Sequence, residues 1–102
     1  MKKKKSAPKP APKGLLKEIF ENAKVRVLEI TMKPGSESDA MELPARVTRA
    51  IKGGTLTRTY PGGKKEKVSF KSGEVRFGEP VPAAVVKNTG KSTIVLYSVF
   101  LK

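Results

Sequence analysis

Hydrophobic and polar residues alternate along short segments of this chain, a pattern typical of half-buried β-strands. In segment 24–32, Leu28, Ile30 and Met32 share one face, while Glu29 and Thr31 occupy the other. We expect further strands at 45–51, 55–60, 65–70, 74–77, 83–87 and 93–101. Glycine and proline turns separate these segments, at 34–35, 53–54, 61–63 and 72–73. Short strands at such regular spacing predict an antiparallel sandwich or barrel.

The segment 15–22 departs from this alternation. Its apolar residues fall on one helical face and its charged residues on the opposite one: Leu15, Leu16, Ile19 and Phe20 against Lys17, Glu18 and Glu21. We therefore expect one or two helical turns, or an irregular flap, lying on the barrel. Alone, so short a helix would be unstable.

Charge is concentrated at the start of the chain. Of the formal net charge of +13, residues 1–17 contribute +7 through seven lysines and no acidic residue. Alternating prolines in 1–13 exclude a helix, so we expect a disordered, basic tail at 1–13 and one domain at 14–102. Either the tail is a solvated arm or it binds a polyanion such as nucleic acid or acidic lipid, through Lys2, Lys3, Lys4, Lys5, Lys9 and Lys13.

The sequence contains neither cysteine nor histidine. Disulfides and thiolate nucleophiles are thereby excluded, as are the commonest metal ligand and the commonest general base near neutral pH. No secretory signal or membrane-spanning run is evident, which predicts a cytoplasmic location. No nucleophile elbow or phosphate-binding loop is present, so we expect no catalytic residues of these kinds.

The stretch from Gly35 to Gly54 resembles the first motif of the cupins. That motif is a glycine, five residues, His-x-His, three or four residues, a glutamate, six residues and a glycine. With a three-residue gap, the ligand positions become Met41, Leu43 and Val47. Counting the second cupin motif from Gly73 places its histidine at Ala84 and its asparagine at Asn88.

The resemblance covers about residues 24–102 and implies a fold that is all-β: an antiparallel barrel of the jelly-roll or double-stranded β-helix type. Cupin enzymes hold a divalent metal through their histidines and glutamate. Here the matching residues are Met41, Leu43, Val47 and Ala84, which offer a soft thioether at best, so we expect no metal and no cofactor. If these residues point inward, they line an apolar lumen.

Two arginines suggest an anion site in that lumen. Arg49 shares alternation with Val47, and Arg58 shares it with Tyr60. If those faces line the lumen, two buried guanidinium groups require an anionic partner. That partner is either a small carboxylate ligand or an internal glutamate such as Glu74 or Glu79; alternatively, the side chains extend out of the barrel mouth.

We expect a non-catalytic, metal-free barrel that binds a small molecule or serves as an interaction module. One alternative is a nucleic-acid or anionic-surface binder acting through the tail. Another is a metal-independent enzyme that uses Arg49, Arg58 or Tyr60 on a small acidic substrate. Because so small a domain buries a modest core, and because many small cupins are dimers, we also expect a homodimer.

Overall fold

The computed structural model describes residues 15–102, which form nine strands and no helix. The predicted tail at 1–13 lies outside these residues. The strands are β1 (Leu15–Glu21), β2 (Val25–Met32), β3 (Met41–Leu43), β4 (Arg46–Lys52), β5 (Gly54–Thr59), β6 (Lys65–Phe70), β7 (Val75–Gly78), β8 (Val81–Asn88) and β9 (Ile94–Leu101). The predicted all-β fold is confirmed.

The strands form two sheets in which every pairing of neighbouring strands is antiparallel. One sheet has five strands in the order β1-β2-β9-β4-β7, and the other has four in the order β3-β8-β5-β6. Between the sheets lies the hydrophobic core: Met32, Ala50, Leu56, Ile94 and Leu96. The described part of the chain contains no helix long and apolar enough to cross a membrane.

The tight turn between β5 and β6 shows why glycines occur where they do. Gly62 and Gly63 have φ angles of 92° and 94°, a region that side-chain-bearing residues rarely adopt. The turn is closed by the amide of Tyr60, which donates to the carbonyl of Lys64 at 2.8 Å. The predicted hairpin is therefore present.

The helical prediction for 15–22 is wrong, because β1 occupies Leu15–Glu21 and pairs antiparallel with β2. The register shifts between Glu18 and Phe20. A bulge of this kind changes which side chains face the core, and it makes the sequence of a strand look locally helical. Pairing with β2 supplies backbone hydrogen bonds that an isolated helical turn would lack.

The outer face of the five-stranded sheet, which points away from the core, carries large apolar side chains. Val47 of β4 lies opposite Phe77 of β7 and Val99 of β9. Several of these side chains are exposed, Phe77 by 53%. We call this surface the outer face; its exposed apolar residues include Val47, Val75, Phe77, Tyr97 and Leu101.

Candidate functional site

Between the sheets is a lumen cavity of about 190 Å³. Alternate residues of several strands point into it, because successive side chains of a strand lie on opposite faces. On β9, Leu96 and Phe100 are buried while Tyr97 between them is exposed. Apolar side chains provide most of the lining: Ile30, Met32, Leu56, Phe70, Val86, Leu96 and Phe100.

A second depression, the polar cleft, adjoins the lumen cavity and has a volume of about 430 Å³. Charged and hydrogen-bonding side chains line it, including Tyr60, Glu66, Lys67 and Arg76. Arg46 and Arg58 line both spaces. The two guanidinium side chains therefore lie where an apolar interior meets a polar entrance.

Arg46, the first residue of β4, is only 7% exposed. Its Nη1 donates to the carbonyl of Pro44 at 3.2 Å and to that of Glu79 at 3.0 Å. Burial, and secondly the charge of Arg58, lower the pKa of Arg46. Within residues 15–102 it makes no ion pair with a carboxylate. Its hydrogen-bond partners within these residues are thus backbone carbonyls alone.

Gly78 makes the position of this guanidinium sterically possible. A Cβ atom at residue 78 would lie 2.6 Å from Cζ of Arg46. Such a separation is far below van der Waals contact, so only glycine leaves room for the guanidinium in its present place. Because Gly78 is directly opposite Arg46 across the β4–β7 pair, backbone register brings the two together.

Arg58 differs from Arg46 because it has a carboxylate partner. Its Nη1 lies 3.3 Å from Oε1 of Glu66 on β6, and its side chain is 14% exposed. The same oxygen of Glu66 accepts a hydrogen bond from the Tyr60 hydroxyl at 2.5 Å. The Tyr60 hydroxyl, and to a lesser degree Arg58, lower the pKa of the Glu66 carboxyl. Arg58 therefore has a carboxylate partner.

Two further contacts shape the cavity wall. The hydroxyls of Thr48 and Ser98 are buried and lie 2.8 Å apart across β4 and β9, so each satisfies the other. The guanidinium of Arg76 lies 4.4 Å above the Phe70 ring and also hydrogen-bonds Glu74. This cation–π contact fixes an aromatic ring that lines both the cavity and the cleft.

The structure places some of the predicted pocket residues at the lumen. Leu43 lines the cavity, Arg58 lines both spaces, and Tyr60 lines the cleft. Ala84 is buried on β8, where its backbone pairs with that of Met41 on β3.

Val47 and Arg49 are pocket candidates on the condition that their face lines the lumen, and that condition fails, because both are exposed on the outer face. The alternation does not carry across the bend at Pro44 and Ala45, between β3 and β4. Beyond this bend Arg46, Thr48 and Ala50 are the buried residues. The cupin motif allows either three or four residues after Leu43. A four-residue gap leads to Thr48 instead of Val47, and Thr48 is the buried residue.

Sequence reasoning missed Arg46, although a signal was present. Arg46 and Arg49 are three residues apart in one strand, so they point to opposite faces in any register. One of them must therefore face inward. The lysines of the predicted tail lie outside the described residues.

The positions that would hold a metal in this fold do not fit one. Leu43 and Ala84 offer only hydrocarbon, and Val47 points outward. Within residues 15–102, no group of three or more carboxylate, imidazole or thiolate side chains lies together. Divalent cations need several oxygen, nitrogen or sulfur donors, and this wall does not supply them.

No protein-family model matches the sequence, and no curated protein matches it. Solved structures, however, are similar. A cupin domain from Bordetella pertussis has a TM-score of 0.82 at 19% identity, over 93% of this chain and 99% of that chain. A double-stranded β-helix protein from Klebsiella pneumoniae has a TM-score of 0.63 at 18% identity, over 87% and 76% of the respective chains.

A cupin of the RmlC-like type from Methanocaldococcus jannaschii is also similar, with a TM-score of 0.61 at 16% identity, over 94% of this chain and 86% of that chain. Identities this low establish the fold alone. The chain has the fold of a small cupin, as its motif spacing predicted.

Proposed function

We propose that this small cupin-fold chain is a non-catalytic binding protein that holds a small molecule in its lumen. The observation that carries the proposal is the apolar cavity of about 190 Å³ between two otherwise packed sheets. Protein interiors are close-packed, and voids larger than a water molecule are few. A cavity of this size in a small domain therefore calls for an occupant.

The apolar wall of the cavity supports this interpretation, because apolar surface that an occupant removes from water contributes about 25 cal/mol per Å². A ligand that fills the space restores dispersion contacts and stabilises the folded state by mass action.

Filling the cavity with a side chain tests the proposal. Val86 lines the cavity, so Val86→Phe should occupy part of the space and abolish binding of a neutral apolar probe such as toluene. The control is Val75→Phe, because Val75 is 64% exposed on the outer face. NMR titration of the three proteins with toluene measures the effect. If toluene leaves wild-type lumen resonances unshifted, or shifts those of Val86→Phe equally, the lumen is not a binding site.

We also propose that the outer face pairs with a second copy of the chain. Glu29 on β2 and Arg49 on β4 lie directly opposite Tyr97 on β9, one on each side. If two outer faces stack about a two-fold axis that runs parallel to β9 over Tyr97, Glu29 of each copy lies against Arg49 of the other, so the surface is complementary to itself in charge. Exposed apolar residues such as Phe77 continue this surface.

Charge reversal tests the dimer. Glu29→Arg should yield monomers in sedimentation equilibrium, and the double variant Glu29→Arg/Arg49→Glu should restore dimers. Glu42→Arg makes the same charge change on the four-stranded sheet and should leave dimers intact. A wild-type monomer at 100 µM would overturn the proposal, as would a double variant that stays monomeric.

Polyanion binding by the tail and a metal-independent enzyme both remain predictions. Polyanion binding would depend on the lysines at 1–13. For a metal-independent enzyme, the structure offers Tyr60, whose hydroxyl is already engaged by Glu66. Arg49 lies on the outer face, away from the lumen.

A further inference from the structure

The chemistry of the cavity wall indicates what kind of molecule the lumen selects. We propose that the ligand is a small organic acid whose carboxylate binds Arg46 and whose apolar body occupies the lumen cavity. This inference rests on the proposed function, since it presupposes that the lumen holds a ligand. Three features support it: the unused donors of Arg46, the charge balance around it, and the apolar character of the adjoining space.

Arg46 retains donors for a ligand. Both hydrogen bonds that the Arg46 side chain makes within residues 15–102 come from Nη1, which donates to Pro44 and Glu79. No hydrogen bond within these residues engages Nε or Nη2, and no described side chain has a buried polar atom without a partner, so these donors are accessible to solvent or a ligand. A carboxylate matches the planar array of guanidinium N–H groups, and such charge-assisted bonds are among the strongest in proteins.

The charge balance favours a monoanion. Arg58 is paired with Glu66, whereas Arg46 has no carboxylate partner in the described part of the chain. Asp39 also lines the cavity but makes no ion pair with Arg46 in this part of the chain, so a ligand carboxylate would supply the direct partner that Arg46 lacks. A dianion such as a phosphate monoester would leave an uncompensated charge at the apolar boundary.

The adjoining space accepts a ring-sized apolar group. A cavity of about 150 Å³ lined by aliphatic and aromatic residues is known to hold benzene, and this one measures about 190 Å³. Leu56, Phe70 and Phe100 line it. Because Arg46 lines both the cavity and the polar cleft, an acid bound there buries its ring and keeps its carboxylate at the boundary.

Phenylacetate and its neutral isostere phenylacetamide test this inference. Calorimetric titration of the full-length protein should show at least tenfold tighter binding of phenylacetate than of phenylacetamide, and weaker binding of benzylphosphonate at a pH where it is a dianion. Arg46→Met should reduce the acid-over-amide ratio to about one. Lys52→Met removes a positive charge from an exposed position of the same strand and should keep the ratio.

Gly78→Ala provides a second variant if Arg46→Met fails to fold. Its methyl group displaces the guanidinium, the flexible end of a side chain, without changing charge, so the ratio should fall here also. Equal binding of acid and amide by the wild type would refute the carboxylate but leave the lumen as a binding site. Tighter binding of benzylphosphonate than of phenylacetate would also refute it. No binding of any probe, toluene included, would refute the proposed function as well.

Discussion

Asn88 at the end of β8 should be the most sensitive polar residue outside the cavity. Its side chain is 1% exposed. Nδ2 donates to the carbonyls of Met32 at 2.8 Å and Ser92 at 2.9 Å, and Oδ1 accepts from the amide of Gly90 at 3.0 Å. One side chain thus joins the end of β2 to the turn that leads into β9.

Asn88→Ala removes all three hydrogen bonds. At about 1 kcal/mol for each bond, the variant should lose roughly 3 kcal/mol in its free energy of unfolding. For a domain of this size that corresponds to a fall of roughly 12–24 °C in Tm. Urea denaturation followed by circular dichroism measures the loss as a lower midpoint with an unchanged m-value.

Asn88→Asp tests the same contacts through pH. A carboxylate cannot donate to the carbonyls of Met32 and Ser92, whereas a protonated carboxyl can donate to one of them. The folded state therefore raises the pKa of Asp at this position above the unfolded value of about 3.9. Its difference in stability from the wild type should be smallest below that pH and should grow as pH rises through the folded-state pKa.

The control is Thr57→Ala, which removes an exposed hydroxyl that lies 2.9 Å from that of Thr89. It should change stability by no more than about 0.5 kcal/mol. The reasoning is refuted if Asn88→Ala costs no more than this control. It is also refuted if Asn88→Asp approaches the wild type at neutral pH rather than in acid.

Three other predictions follow from the hydroxyl pair, the carboxylates and the tail. Thr48→Val and Ser98→Ala should each cost about 1–2 kcal/mol by leaving one buried hydroxyl unpaired, and the double variant should cost less than their sum in a urea-denaturation cycle. The pKa of Glu66 is lowered in the folded state from its ordinary value of 4.5, so its carboxylate adds stability at pH values above 4.5, and this stability is lost as pH falls. The Tm should therefore be constant from pH 8 to 6 and should decline below about pH 4.5. A decline between pH 8 and 6 would contradict this. Deleting residues 1–13 should leave Tm unchanged and abolish weak binding to duplex DNA. For the full chain, a plot of log binding constant against log salt concentration should have a slope no steeper than about −6. DNA binding retained without these residues would locate it in the barrel.

The sequence predicts the fold well because turns and alternation are local signals. Gly62 and Gly63 mark a hairpin whatever the strands pair with, and the alternation in β9 survives because that strand is central and regular. The segment 15–21 could not be assigned in this way. Its bulge against β2 is a property of the pairing, which the segment alone does not specify.

The candidate site could be predicted only in part. Arg58 was identified because β5 alternates without interruption up to Thr59. Arg46 was missed because the bend at Pro44, between β3 and β4, shifts the alternation of inward and outward side chains by one residue. The sequence of the bend does not indicate this shift. The cavity itself depends on how two sheets pack, so no local pattern reveals its volume.

The contact between Gly78 and Arg46 constrains how the two positions can change in evolution. Because a Cβ atom at residue 78 would lie 2.6 Å from Cζ of Arg46, a side chain at 78 displaces the guanidinium from its present place whenever arginine stands at 46. Replacements at the two sites should therefore be strongly non-additive. Among related sequences, a residue other than glycine at 78 should therefore accompany either a shorter residue at 46 or an arginine whose guanidinium lies elsewhere.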